Sequence, residues 1–255
     1  GRASTALQLV AGEPLHQAAA RMSLDEKIAV MRDVALAIQE AHRLGIVHRD
    51  LKPANVMVER TEDGRWFPIV MDFGLARITD ETALSQTGDF AGTYFYMSPE
   101  QVTGRRMGID HRTDVFSLGV VLYELLALRR PFEGDTSHQI AAQIVTKDPP
   151  DIRTIRSRVP RDLAVIAGKA LEKDRDRRFQ TMAEFSADLR RYLAYEPIHA
   201  RPPTRIERLG KWARRNPAKS VAAGIASVTF TVIAVLLAEN VRTNKALTVE
   251  RANLA

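Results

Sequence analysis

Apolar residues recur at Leu24, Ile28, Met31, Val34, Ile38 and Ala41, the spacing of a helix that buries one face. Ser23-Leu-Asp-Glu26 supplies a capping box at its start and Gly45 a stop at its end. Two short apolar runs follow, Val56–Val58 and Ile69–Met71, on either side of a turn around Asp63-Gly64; their length and β-branched content predict strands. Residues 72–113 carry many Gly, Ser and Thr and little periodicity, which predicts a long loop of the kind that is usually functional or disordered. From Asp114 the run "DVFSLGVVLYELLAL" is apolar on almost every face. It predicts a helix buried on all sides, with Asp114 as its cap. Further helices are predicted near 137–147, 161–172 and 182–194, the last opened by a second capping box, Thr181-Met-Ala-Glu184. The fold class is mainly α (α+β), and no internal repeat is evident.

Residues 220–238, "SVAAGIASVTFTVIAVLLA", contain no ionisable group. As a helix they reach about 28 Å, close to the hydrocarbon thickness of a bilayer. A buried core helix rarely runs this long without a strongly polar residue, so a single transmembrane helix is expected. Residues 196–219, just before it, hold seven Lys or Arg against Glu196 and Glu207. The formal net charge of the whole chain is +6, and this collar accounts for most of it, leaving residues 1–195 about neutral. A basic segment beside a span fits anionic lipid and a cytoplasmic side. Nucleic-acid binding is not expected, because Pro202 and Pro203 interrupt the collar and the apolar run follows directly. The absence of cysteine excludes disulfides and thiolate metal sites. The chain opens on Gly with no signal-peptide pattern after it, so Gly1 is read as a cut end.

The densest chemistry lies in "VHRDLKPANVMV", residues 47–58. One acid, two cations and an amide (Asp50, Arg49, Lys52 and Asn55) crowd a single loop before β-branched residues resume. A solvated turn needs none of these, whereas a site for a phosphorylated, metal-bound substrate uses all of them. Asp72-Phe73-Gly74 follows at the end of a predicted strand, and "GTYFYMSPE", Gly92 to Glu100, closes the long loop.

In that order the three stretches resemble the HRDxxxxN, DFG and APE motifs of the protein-kinase catalytic core. The resemblance covers roughly residues 1–195 and is most similar to bacterial membrane-anchored, eukaryotic-like Ser/Thr kinases. It implies a kinase-like C-lobe, helical with short β-hairpins, and assigns roles position by position. Asp50 would accept or orient the proton of the substrate hydroxyl, and Lys52 would stabilise the transferring phosphoryl group. Asn55 and Asp72 would supply oxygen ligands to Mg²⁺, with Mn²⁺ as the alternative ion. ATP would lie against Leu9 and Val10 of the hinge, which is read in residues 5–15, and over Met57. Thr93 would bond Asp50 and Lys52 and favour Ser or Thr acceptors. Arg49 would dock a phosphate on the activation loop, with Ser85 and Thr87 the best-placed sites for autophosphorylation. His48 reads as a packed structural histidine, not a base. Glu100 and Arg178 would form a buried structural ion pair, and Asp114 would bond the backbone of the catalytic loop. Ser98 before Pro99-Glu100, Phe116 and Arg175 depart from the commoner kinase residues without touching the chemistry.

The resemblance begins late. No Gly-rich loop, ATP-anchoring lysine or partner glutamate precedes residue 5, so the stretch given is read as a fragment inactive on its own. The expected organisation is hinge and C-lobe over 1–195, basic juxtamembrane linker over 196–219, transmembrane helix over 220–238, and an extracytoplasmic start over 239–255. The parent is expected to be a single-pass protein of the inner (plasma) membrane with a cytoplasmic kinase domain. It would phosphorylate Ser and Thr in protein substrates during signalling, with a homodimer as a further expected partnership. The competing class is a pseudokinase scaffold tethered to the membrane; intact Asp50, Asn55 and Asp72 argue against it.

Overall fold

The computed structural model describes residues 12–73, 94–104 and 109–200, together with Thr229 and Ile233. The chain divides into two compact units, Gly1–Pro202 and Pro203–Ala255. Thr229 and Ile233, both helical, are the only described residues of the second unit, so the architecture below is that of the first. Leu9, Val10, Gly74, Ser85, Thr87 and Thr93 lie outside the described residues, as do residues 201–219. Among the described residues no helix is long and apolar enough to cross a membrane; of the expected span, only Thr229 and Ile233 are among them.

The elements run β1 (Glu13–Pro14), α1 (Leu15–Ala18), α2 (Leu24–Arg43), β2 (Val56–Arg60), β3 (Trp66–Val70), α3 (Pro99–Val102), α4 (Arg112–Ala127), α5 (Ser137–Thr146), α6 (Ile152–Ile155), α7 (Arg161–Ala170) and α8 (Met182–Leu193). One antiparallel three-stranded sheet holds β1, β2 and β3 in that order. Its register pairs Glu13 with Val58, and Val56 with Val70 through to Arg60 with Trp66. The expected short hairpins are therefore a single sheet, because residues 13 and 14 add a third strand beside β2.

Helix α2 forms as its pattern predicts. Ser23 accepts the Glu26 N–H, and the Glu26 carboxylate accepts the Ser23 N–H at 2.7 Å. Ile28, Met31, Val34 and Ile38 are fully buried. At the far end Gly45 takes φ +77°, while Gly45 N–H bonds His42 O and Ile46 N–H bonds Ala41 O, each at 3.0 Å. This is a Schellman closure, and the left-handed residue it needs costs glycine nothing.

Helix α4 is the central rod. Every residue from Thr113 to Ala127 is buried except Glu124, so its uniformly apolar sequence is explained by neighbours on all sides. It lies against α2, α7 and α8. At Gly119 an added Cβ would sit 2.7 Å from the Ala170 Cβ, and that close approach sets the spacing of α4 and α7. Asp114 does not cap this helix, because the N-cap is His111 and Asp114 lies inside the first turn. Its carboxylate is turned instead to the loop before β2.

The loop expected over 72–113 is broken by α3. Ser98 accepts the Gln101 N–H while the Gln101 side chain accepts the Ser98 N–H at 2.9 Å, and Pro99 opens the helix. Ser-x-x-Gln with proline at the first helical position is a start signal of the same kind as the two capping boxes read elsewhere. The Thr181 box forms with a shift: Thr181 caps Glu184 N–H, but the Glu184 carboxylate takes the N–H of Gln180 at 2.9 Å. From within α8 the buried Asp188 accepts the N–H groups of His199 and Ala200 beyond the helix, each at 2.7 Å, which pins that stretch of chain against the core.

Candidate active site

The site is built on the loop between α2 and β2, and one buried carboxylate shapes it. Asp114 is fully buried. Its Oδ1 accepts the Arg49 N–H and its Oδ2 the His48 N–H, both at 2.8 Å, and His42 Nε2 donates to Oδ2 at 2.7 Å. Arg49 has φ +66°, a left-handed conformation that is costly for a residue with a Cβ. Two charge-assisted hydrogen bonds hold the backbone in that turn and offset the cost. Helix α4 thus fixes the loop from below, as the sequence suggested for Asp114. The contribution of His42 was not foreseen; it faces inward from the last turn of α2.

His48 is fully buried and both ring nitrogens are engaged. Nε2 lies 2.9 Å from the Met71 carbonyl oxygen, while Nδ1 accepts the Asp50 N–H at 3.3 Å. The Nε2–H tautomer satisfies both bonds. Its ring also packs on Phe73, with centroids 4.8 Å apart. A histidine so held joins the loop to the end of β3 and has no nitrogen left for proton transfer, which agrees with the structural role read from the sequence.

Asp50, Lys52 and Asn55 converge. Lys52 Nζ donates to Asp50 Oδ2 at 3.0 Å. Asn55 Nδ2 donates to the Asp50 carbonyl at 2.8 Å and to Asp50 Oδ2 at 3.3 Å. Only 17% of the Asp50 side chain is exposed, so the carboxylate is oriented from two sides yet still open to solvent. Asn55 is buried and spends its Nδ2 protons on Asp50, which leaves Oδ1 as the outward-acting atom. The Met71 N–H bonds the Asn55 carbonyl at 2.9 Å, so the residue before Asp72 is tied both to Asn55 and to His48. Asp72 enters this corner exposed and with φ +56°. Met57 sits in β2 between Val56 and Val58, both almost fully buried. Strand alternation therefore turns it to the opposite, half-open face.

Among the described residues no group of three or more His, Cys, Asp or Glu gathers, so no cage made wholly of protein ligands forms there. The donor set of this corner is one amide oxygen and one carboxylate. Hard oxygens in that number fit a divalent ion of the Mg²⁺ type, which takes its remaining ligands from phosphate and water.

Glu100 and Arg178 meet as a buried bidentate pair, Nη1 to Oε1 at 2.7 Å and Nη2 to Oε2 at 2.8 Å. Arg178 also donates to the carbonyls of Glu172, Lys173 and Arg112. Burial pushes the Glu100 carboxyl up, but the Arg178 hydrogen bonds outweigh it and leave its pKa below the ordinary value. Gln101, unmarked by the sequence reading, donates Nε2–H to the Arg49 carbonyl at 2.7 Å, and Ser98 Oγ bonds Thr113 Oγ1. The segment ending in α3 is thereby fastened both to the loop bearing Asp50 and to α4.

The protein kinase domain family matches residues 4–188 of this chain. The serine/threonine-protein kinase PknB of Mycobacterium leprae is 41% identical over 180 residues, 70% of this chain and 28% of that protein. The serine/threonine-protein kinase pkn3 of Myxococcus xanthus is 37% identical over 193 residues, 72% of this chain and 35% of its own length. A probable serine/threonine-protein kinase of Streptomyces coelicolor, SCO3848, is 40% identical over 166 residues, 64% of this chain and 24% of its own. The chain thus spans about a quarter to a third of the curated relatives it matches. With these motifs in place and more than two thirds of its length matched, the chain belongs to the protein kinase domain family.

Proposed function

We propose that the protein containing this chain transfers the γ-phosphoryl group of ATP to Ser or Thr hydroxyls of protein substrates. The observation that carries this reading is Asp50: a part-exposed carboxylate held by Lys52 and Asn55 on a loop that the buried Asp114 fixes by two backbone hydrogen bonds. In phosphoryl transfer the protein has little covalent chemistry to perform, and positioning with charge stabilisation accounts for most of the rate. The substrate hydroxyl oxygen forms the new bond to phosphorus as the bond to the leaving ADP oxygen breaks, and the hydroxyl proton passes to Asp50. Lys52, 3.0 Å from that carboxylate, offsets the charge of the transferring group. Asn55 Oδ1 and the Asp72 carboxylate would hold the divalent ion, Mg²⁺ or Mn²⁺, which when bound neutralises phosphate charge. Met57, on the half-open face of β2, would floor the nucleotide, with Leu9 and Val10 at its hinge edge. Thr93 would contact Asp50 and Lys52 and set the preference for hydroxyl acceptors.

Regulation by phosphorylation of Ser85 or Thr87 belongs to the same proposal. Arg49 is half-buried on the loop that carries Asp50, and a guanidinium there suits charge-assisted hydrogen bonds to a docking phosphate. The full-length protein incubated with ATP and Mg²⁺ is expected to carry phosphate at Ser85 or Thr87 by phosphopeptide mapping. An active preparation with neither site occupied would sink this part of the reading.

We extend the proposal to the membrane on the composition of residues 196–238. The basic collar faces anionic lipid, residues 220–238 span the inner (plasma) membrane once, residues 239–255 begin the outer part, and the kinase unit is cytoplasmic. Deleting 220–238 from the full-length protein is expected to move it from the membrane to the soluble fraction; an unchanged distribution would refute the anchor.

A further inference from the structure

A network outside the phosphoryl-transfer residues ties the segment after Thr93 to the end of α4. Tyr96 Oη donates to Glu124 Oε2 at 2.6 Å, and Arg130 Nε donates to Glu124 Oε1 at 3.2 Å. Arg130 Cζ lies 3.9 Å from the centroid of the Phe95 ring, close contact for a cation on an aromatic face. The backbone is held as firmly, since Ser117 Oγ donates to the Tyr96 carbonyl at 2.7 Å. Burial, reinforced by the Glu124 carboxylate, pushes the Tyr96 phenol far above its ordinary range, so it remains a donor throughout the physiological range.

The consequence is electrostatic. Glu124 is the one residue between Thr113 and Ala127 that is not buried, and alone it would offer a carboxylate to a basic side chain. Both of its oxygens are occupied. Arg130 gives its Nε to Glu124 and keeps 36% of its side chain exposed. What this patch presents outward is a guanidinium fork, pre-oriented by its stack on Phe95. The Gln101 bond to the Arg49 carbonyl at 2.7 Å holds the same segment against the loop bearing Asp50.

We infer that Arg130, stacked on Phe95 and masking Glu124, selects acceptor peptides with an acidic side chain near the phosphorylated hydroxyl. The inference rests on the phosphoryl-transfer reading of Asp50. A part-exposed ion pair supplies a preference of about fivefold, enough to be read in kcat/KM.

The test uses full-length kinase on a positional-scanning library of Ser/Thr peptides, then a matched pair carrying Glu or Lys at the selected position. Wild type is expected to favour the Glu peptide about fivefold. Arg130→Gln uncovers the Glu124 carboxylate and inverts the preference toward Lys. Adding Glu124→Gln to Arg130→Gln brings the ratio back to about one. Arg130→Lys keeps the positive charge and is expected to keep the acidic preference at a smaller ratio, which guards against reading a folding defect as a change in specificity. A wild-type enzyme that phosphorylates peptides without acidic preference, or an Arg130→Gln enzyme with an unchanged ratio, overturns the inference and leaves the phosphoryl-transfer reading standing. No transfer to any peptide or to the protein itself overturns both.

Discussion

Glu100→Gln changes one oxygen to an amide nitrogen at almost constant shape, so its effect isolates the charge. In the parent both carboxylate oxygens accept from Arg178, at 2.7 and 2.8 Å, and the Arg178 side chain is 0% exposed. The variant leaves a guanidinium buried among backbone carbonyls with no anion and sets an amide N–H₂ against one of its donors. Breaking one side of such a pair costs about 3–5 kcal/mol. At this domain size each kcal/mol lowers the Tm by about 2–4 °C, so a fall of roughly 6–20 °C is expected. Urea unfolding followed by circular dichroism measures the loss directly. Glu100→Leu combined with Arg178→Met should recover much of it, because a well-packed apolar pair avoids the desolvation both charges suffer. The pH dependence has a defined sign. The folded-state pKa of Glu100 lies below the ordinary 4.5, so its stabilisation is complete above that value and is lost as pH falls through the lowered folded pKa. Glu100→Gln should flatten this acid limb. A variant within about 1 kcal/mol of the parent, or a double variant no more stable than Glu100→Gln, would refute the reasoning.

Two further outcomes follow from local geometry. Asp114→Asn removes one of the two acceptor oxygens that hold His48 N–H, Arg49 N–H and His42; hydrogen bonds to a charged group contribute about 1.5–3 kcal/mol each, so a loss of roughly 3 kcal/mol in unfolding free energy is expected, and unchanged stability would remove Asp114 as the loop's anchor. Leu128 closes α4 at φ +56° with 66% of its surface exposed, so Leu128→Gly relieves a left-handed conformation costing about 1–2 kcal/mol and should raise the Tm; a lowered Tm would show that its few contacts outweigh the strain.

Elements with a strong period, such as α2 and α8, were legible in the sequence to within a residue or two. So was the all-round burial of α4, because its run has no polar face. The cluster of the candidate loop was legible as residue types, and the structure gathers Asp50, Lys52 and Asn55 while placing Asp72 one residue beyond their hydrogen-bonded frame. The role of Asp114 was half legible. Its position before an apolar run looks like a cap, but the helix begins two residues earlier, and only the fold brings residues 48 and 49 to its carboxylate. His42 and Gln101 were not legible, since each acts on a residue 72 or 52 positions away from an ordinary helical position. The Phe95–Arg130–Glu124–Tyr96 network was hidden for the same reason, and α3 was missed although Ser98-Pro-Glu-Gln101 carried its signal in plain view.

The central claim is that Asp50 serves phosphoryl transfer. Its most direct test is the rate at which full-length protein, wild type and Asp50→Asn, moves γ-phosphate from ATP to a Ser/Thr substrate, with nucleotide binding measured alongside. Loss of the proton acceptor is expected to lower the rate by about 10²–10⁴-fold while nucleotide still binds. A variant that transfers phosphate within about tenfold of wild type, or a wild-type protein that binds nucleotide and transfers none, would contradict the account and leave a binding module on a kinase fold.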